Sequence, residues 1–134
     1  MKRVLLDTNV ILRLLLADHE DQHSRAVRLF DAATDKECLL QINAEILAEC
    51  TFVLESFYKV SRVAIAELME RLLCHPGIYS NEMNVLKVSL EHYCSSKVDI
   101  ADCLLAARSR IQNCSIATFD KDFKKLPSVD LVDF

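Results

Sequence analysis

Four acidic residues beside short apolar segments are the residues of this chain best suited to chemistry: Asp7, Glu49, Asp102 and Asp120. Asp7 directly follows the apolar run Val4–Leu6, and Asp120 follows Ala117–Phe119. Asp102 lies at the head of a long apolar segment. Carboxylates gathered in one place repel one another and raise one another's pKa. Around a hard divalent cation, the same carboxylates form a site for phosphate chemistry.

Asp7 and Asp102 each have a simpler interpretation at the start of a helix, Asp7 as a cap and Asp102 as an acid that favours the helix dipole while Asp99 caps. Asp7 could cap the helix that follows it, although Asn9 could serve as that cap instead. Asp99 and Asp102 have the spacing of a capping box, with Asp in place of Glu or Gln. Both roles are compatible at the second helix, because a cap at Asp99 would fix the turn that carries Asp102. We therefore expect Asp102 to be a metal ligand and Asp99 to support it.

Glu45 and Glu49 lie one turn apart, and helical geometry can choose between them. The apolar stripe of their helix contains Ile46, Cys50, Val53, Leu54 and Phe57. At about 100° per residue, Glu49 lies roughly 70° from the centre of that stripe and Glu45 roughly 110°. We therefore expect Glu49 to lie at the margin of the buried face, lining a cleft, and Glu45 to face solvent.

The loop from Thr118 to Phe123 contains two more acidic positions. Asp120 is nearer the end of the preceding strand than Asp122, so we expect Asp120 to be the ligand and Asp122 to cap a turn. Thr118 could orient a carboxylate or a water through its hydroxyl group.

Strand and helix patterns alternate along the chain. The predicted strands are residues 4–6, 38–41, 78–79, 115–117 and 131–132, and the helices between them include one capped by Ser61 and one over 100–112. This alternation predicts an α/β fold in which helices cover both faces of a parallel sheet. Ligands of such sheets bind beyond the carboxyl ends of the strands, where Asp7 and Asp120 are expected.

Length and composition favour one α/β domain over residues 1–134. The chain has six cysteines without metal-ligand spacing, which are expected to be reduced thiols in a cytoplasmic protein. The start of the chain lacks a cleavage site after its interrupted apolar run, and no uncharged stretch is long enough to span a membrane.

The net charge of −4, from 16 basic and 20 acidic residues, does not suggest a nucleic-acid enzyme. Without the four candidate ligands, however, the balance becomes 16 minus 16, which is zero. Charge therefore neither excludes nor supports RNA as a substrate. The basic residues nearest the acids in sequence are the first candidates for phosphate contacts: Arg13, Lys97, Arg108 and Lys121.

Several other classes of site are excluded by residue type. With one glycine, the chain has no glycine-rich phosphate loop, which excludes P-loop and Rossmann nucleotide sites. His19 and His23 have helical spacing but lack the acidic residue of a zinc-hydrolase motif. No serine or cysteine lies in a nucleophile elbow.

Four stretches of the chain resemble the PIN-domain ribonucleases, and most closely the VapC-type toxins: Leu5–Ile11, Ala44–Leu54, Val98–Ala107 and Ala117–Phe123. The resemblance implies a three-layer α/β/α sandwich with a central parallel β-sheet. It implies that Asp7, Glu49, Asp102 and Asp120 bind Mg²⁺ or Mn²⁺ and catalyse RNA hydrolysis, with Asn9, Asp99 and Thr118 in support. It also implies a homodimer inhibited by a cognate antitoxin protein. Cys50 and Cys103 stand where Val, Leu or Ala is expected.

Two other functions fit parts of the pattern. A housekeeping PIN-domain nuclease that processes RNA would have the same acidic residues. A phosphohydrolase of the haloacid-dehalogenase type would use a strand-end Asp as nucleophile, but it needs a second Asp where this chain has Asn9. A non-catalytic binding module is disfavoured by the four intact acids.

Overall fold

The computed structural model describes all residues, 1–134. Its elements in chain order are β1 (Lys2–Leu5), α1 (Thr8–Leu16), α2 (Glu20–Thr34), β2 (Cys38–Gln41), α3 (Ala44–Ser56), α4 (Arg62–Leu73), β3 (Ile78–Tyr79), α5 (Met83–Ser95) and α6 (Ile100–Gln112). A short 3₁₀ turn over Lys121–Lys125 follows α6.

The three strands form one parallel sheet in the order β1-β2-β3. The central strand β2 alternates between the buried residues Cys38 and Leu40 and the half-buried residues Leu39 and Gln41. Helices pack on the sheet, with α2 against β2 and α4 against β3. The predicted α/β/α architecture with a central parallel sheet is therefore confirmed.

The first strand is less buried than its apolar sequence predicts. We expected a buried strand at Val4–Leu6, but in β1 only Val4 is half-buried, and Lys2, Arg3 and Leu5 are exposed. The reason is position, because β1 is an edge strand with a neighbour on one side only. The buried apolar residue of this segment is Leu6, which lies just beyond the strand.

The predicted strands 115–117 and 131–132 are not strands of this sheet. They meet only in a single parallel bridge between Ile116 and Leu131. The amide of Val132 donates to the carbonyl of Ile116 at 2.8 Å. The two-residue strand β3 pairs with β2, whereas Ile116 bridges only to Leu131, so the lack of a partner strand explains the difference. Asp7 and Asp120 therefore follow two separate pieces of β-structure.

The helix boundaries agree closely with the sequence pattern. Ser61 caps α4 as predicted, accepting a hydrogen bond from the amide of Ala64 at 3.2 Å. The helix predicted over 100–112 is α6, and it ends at Asn113 in the left-handed conformation, with φ 54°. Asn tolerates that conformation better than most residues, which explains the stop.

The single glycine allows a close approach between α2 and the turn before β3. A Cβ atom on Gly77 would lie 2.5 Å from the Cβ of Ala33 at the end of α2. No real side chain fits that space, so glycine is required here for packing.

All six cysteines are free thiols: Cys38, Cys50 and Cys103 are buried, and Cys74, Cys94 and Cys114 are exposed. The chain contains no helix with the length and apolar character needed to cross a membrane.

Candidate active site

Asp7 immediately precedes α1, and its carboxylate is not used as a cap. The residue is extended, with φ −89° and ψ 155°, and its side chain makes no capping hydrogen bond. Asn9 lies inside α1 and therefore does not cap it either. Asn9 instead lines a cavity of about 350 Å³ between α1 and α2. The carboxylate of Asp7 is thus exposed and available to a ligand.

Glu49 is tied to the residue after Asp7. The hydroxyl of Thr8, a residue that is 4% exposed, donates to Oε2 of Glu49 at 2.8 Å. The negative charges of Glu49 and Asp7 both act on the buried thiol of Cys50. We group Asp7 and Glu49 as a first acidic pair because Thr8, the residue after Asp7, orients the carboxylate of Glu49.

The argument that placed Glu49 at the margin of the buried face is wrong. Glu45 and Glu49 are both exposed, and Phe57, which helped define the apolar stripe, is 73% exposed. The buried face of α3 consists instead of Ala44, Leu47, Cys50, Thr51 and Leu54. The two acids differ in their partners rather than in their burial. Glu49 accepts a hydrogen bond from Thr8, whereas the charge of Glu45 acts on Arg108.

Asp102 lies in the first turn of α6 and is half-buried. Burial raises the pKa of its carboxyl, and the charges of Asp120, Asp99 and Asp122 raise it further. Of these three acids only Asp120 is a candidate ligand, and we group it with Asp102 as a second acidic pair. Asp99 occupies the cap position of α6, but its side chain makes no capping hydrogen bond, so its expected support through capping is wrong.

The loop around Asp120 is held by local hydrogen bonds. Oδ1 of Asp120 accepts from the amide of Asp122 at 2.9 Å, so Asp120 caps the 3₁₀ turn and the prediction of that role for Asp122 is wrong. Thr118 acts on the backbone, because its hydroxyl oxygen accepts from the amide of Asp120 at 3.0 Å. Asp122 instead pairs with Lys125 at 2.9 Å.

The four candidate ligands lie in two pairs, Asp7 with Glu49 and Asp102 with Asp120. Nowhere do three or more acidic, histidine or cysteine residues form a group that could hold a metal ion. None of the four carboxylates forms a salt bridge with a lysine or an arginine. The helices that carry Glu49 and Asp102, α3 and α6, pack against each other. Glu49 and Asp102 therefore lie on contacting helices, and neither is paired with a basic residue.

The donor atoms available at these pairs are oxygens. Each helical acid is followed by a buried cysteine, but burial and neighbouring charges raise the pKa of Cys50 to about 12. Burial likewise raises the pKa of Cys103 to about 11. Both thiols therefore stay protonated and do not compete as soft metal ligands. A set of carboxylates suits Mg²⁺ or Mn²⁺ rather than zinc.

Two of the four candidate phosphate contacts are engaged elsewhere. Arg13 pairs with Asp18 at 3.0 Å and also donates to Gln22. Arg108 makes a two-pronged contact with Glu82, at 2.8 and 3.0 Å. Lys97 and Lys121 are exposed and form no salt bridge.

Sequence reasoning missed two residues that contact the acids or the segments that carry them. Thr8 was predicted only as part of the segment around Asp7, and its contact with Glu49 joins positions 41 residues apart. Arg62 was not singled out at all, although it contacts the segment that begins α6. A polar residue directly beside a strand-end Asp is the one sequence signal that points to Thr8; a single arginine at a helix start gives none.

The parallel sheet, the helices covering it and the free carboxylates beside β1 and on α3 and α6 define a PIN-like α/β/α domain. The sequence profile of the PIN domain matches residues 4–129, and the chain belongs to this family. It is also similar to a protein named "VapC ribonuclease" from Aquifex aeolicus (strain VF5). The two are 26% identical over 124 residues, which cover 91% of this chain and 90% of that protein.

Proposed function

We propose that this protein is a Mg²⁺- or Mn²⁺-dependent endoribonuclease and the toxin of a toxin–antitoxin pair. The observation that carries the proposal is the set of four carboxylates without a basic partner in a PIN domain. Burial and neighbouring acids raise the pKa of Asp102, and groups perturbed in this way are common at functional sites. Similarity to a VapC ribonuclease supports RNA as the substrate.

In this proposal Asp7, Glu49, Asp102 and Asp120 hold the metal. A divalent cation bound there would supply an activated water and would offset the charge of the phosphate. The chain's own contribution is orientation. Thr8 fixes one oxygen of Glu49, and Thr118 fixes the backbone of Asp120. No three of these acids are grouped closely enough to hold a metal ion together, so binding through all four requires them to come closer.

RNA must be attracted to this site despite the acidic residues. Bound cations would cancel part of the negative charge, and Lys97 and Lys121 are exposed cations near Asp102 and Asp120 in the chain. Lysine can bind a phosphate as a point charge without a fixed geometry. We propose Lys97 and Lys121 as phosphate contacts, in preference to Arg13 and Arg108, which already have acidic partners.

The direct test is RNA cleavage by purified protein. We expect cleavage of single-stranded or loop RNA with Mg²⁺ or Mn²⁺ and none in excess chelator. Asp7→Asn and Asp102→Asn should each abolish cleavage while leaving the circular dichroism spectrum unchanged, because both carboxylates lie at helix starts outside the core. Full activity in excess chelator would overturn the metal-dependent mechanism.

A second test separates a toxin from a housekeeping nuclease with the same acids. For a toxin we expect arrested growth when the active protein is expressed alone, and normal growth with Asp7→Asn. We also propose that it forms a homodimer and is inhibited by a cognate antitoxin protein, so the growth defect should be relieved by co-expression of that partner, which should co-purify with it. Normal growth with verified active protein would instead support the housekeeping nuclease. The match to the PIN domain gives no support to the haloacid-dehalogenase alternative.

A further inference from the structure

Arg62 is the most heavily engaged charged side chain outside the acidic pairs. It is the first residue of α4, and its side chain is 20% exposed. Its Nε donates to the carbonyl of Tyr93 at 3.0 Å, and its Nη2 donates to the carbonyl of Val98. Its Nη1 pairs with Oε1 of Glu55 at 3.3 Å. One guanidinium therefore joins the end of α3, the end of α5 and the segment before α6.

The tyrosine completes this network. The guanidinium of Arg62 lies over the ring of Tyr93, 3.7 Å from its centroid. The hydroxyl of Tyr93 donates to the same Glu55 oxygen at 2.8 Å. Each partner therefore restricts the others, and stacking on an aromatic face is a contact that arginine makes better than lysine.

The Val98 contact acts directly on the start of α6. Val98 is buried and precedes Asp99, whose side chain makes no cap for that helix. By contrast, α4 begins with a side-chain cap from Ser61. The segment entering α6 is therefore held by Arg62 in addition to its own backbone bonds, the first of which joins the amide of Cys103 to the carbonyl of Asp99 at 2.9 Å.

We propose that Arg62 is a positioning residue that sets Asp102 relative to Glu49. Glu49 lies on α3, whose last turn carries Glu55, and Asp102 lies in the first turn of α6. Arg62 contacts Glu55 at the end of α3 and Val98 just before α6, so it fixes the distance between the two acidic pairs without touching either. The inference rests on the proposed function, because only a shared metal or substrate makes that distance matter.

Arg62→Lys is the test variant, because it keeps the charge but loses the planar guanidinium: its donors share one nitrogen and cannot reach the three acceptors while stacking on Tyr93. Ile65→Val is the matched control: it removes one methylene from the core in the same helix and leaves the network intact. In Arg62→Lys we expect kcat for RNA to fall by about tenfold to a hundredfold. The KM for RNA should change little, and the Mg²⁺ concentration for half-maximal activity should rise. Ile65→Val should change none of these values, even if it lowers the Tm as much as Arg62→Lys does.

Two readouts besides activity complete the experiment. Hydrogen exchange at the first-turn amides of α6 should accelerate in Arg62→Lys and not in Ile65→Val. The rise in Tm caused by Mg²⁺ should be smaller in Arg62→Lys than in the control. If Arg62→Lys does not fold, Tyr93→Phe, which removes only the bond to Glu55, should raise the Mg²⁺ requirement in the same direction.

The inference is overturned if the test variant and Ile65→Val share the same kcat, Mg²⁺ requirement and exchange rates in α6. An unchanged Mg²⁺ requirement in Tyr93→Phe, where that variant is used, overturns it too. Failure of the proposed function gives a different result, because the wild type would then cleave no RNA. The exchange measurement would still decide whether Arg62 holds the start of α6.

Discussion

Thr8 shows how one hydroxyl can select between two neighbouring acids. Glu45 and Glu49 have the same side chain, the same helix and the same exposure class, yet only Glu49 accepts a hydrogen bond from Thr8. A hydrogen bond to a carboxylate is stronger than one between neutral groups and fixes its rotamer. Glu49 is therefore pre-oriented beside Asp7, whereas Glu45 lies near Arg108.

We therefore expect Glu49→Gln to lower the turnover of RNA by at least about tenfold, and Glu45→Gln to leave it near that of the wild type. Thr8→Val keeps the side-chain shape and removes the hydrogen bond, so its turnover of RNA should lie between those of the two glutamate variants. Initial rates with a defined RNA at saturating Mg²⁺ measure all three. An equal loss from the two glutamate variants would mean that the Thr8 contact has no part in selecting the ligand.

At the level of elements, α5 carries a buried histidine that makes the stability of the protein depend on pH. His92 is 3% exposed, and its Nε2 has no hydrogen-bond partner. Burial lowers the pKa of His92 from its ordinary value of 6.5, and the charge of Arg110 lowers it further, with Glu91 acting in the opposite direction. The folded protein thus holds His92 neutral where the unfolded chain would protonate it.

The stability contributed by His92 should be complete above pH 6.5 and decline as the pH falls below that value, because the unfolded state then binds the extra proton. Thermal unfolding of the wild type should show a falling Tm between about pH 7 and pH 5. His92→Gln, which cannot titrate, should show a flatter slope over the same range, whatever its absolute Tm. Parallel slopes for the two proteins would rule out His92 as the source.

The elements also show what the sequence can and cannot predict. The strand Cys38–Gln41 and the helix over 100–112 were predicted to the residue, because their limits depend on local signals such as apolar runs and a terminal Asn. The strand 115–117 was not, because a strand is defined by its partner, and Ile116 finds only Leu131. Pairing is a property of the whole fold, whereas the residue types that suit a ligand can be read locally. The acids could therefore be nominated, but the contact between Thr8 and Glu49 could not.

At the scale of the whole molecule, the surroundings of Asp102 disfavour its charge and would favour a bound cation. Asp102 is half-buried and its pKa is raised, so its charge is disfavoured in the folded protein. Asp120, Asp99 and Asp122 contribute to this effect, which makes it collective. A bound divalent cation would attract these carboxylates, so the charge of Asp102 would then stabilise the folded protein.

The melting temperature should therefore respond to Asp102→Asn in opposite ways with and without metal. In chelator, removing one charge from the cluster should raise the Tm. The gain in the free energy of unfolding should be at most about 1 kcal/mol, because solvent screens a half-buried group. Adding Mg²⁺ should stabilise the wild type more as its concentration rises, since a ligand that binds only the native state shifts the folding equilibrium by mass action. The variant should gain much less.

Were Asp102 only an acid that favours the N-terminus of α6, its replacement by Asn would lower the Tm slightly and Mg²⁺ would not change it. Thermal unfolding of both proteins over a Mg²⁺ series distinguishes these cases, and a lower Tm for Asp102→Asn in chelator with no Mg²⁺ effect on the wild type would exclude a metal site at Asp102.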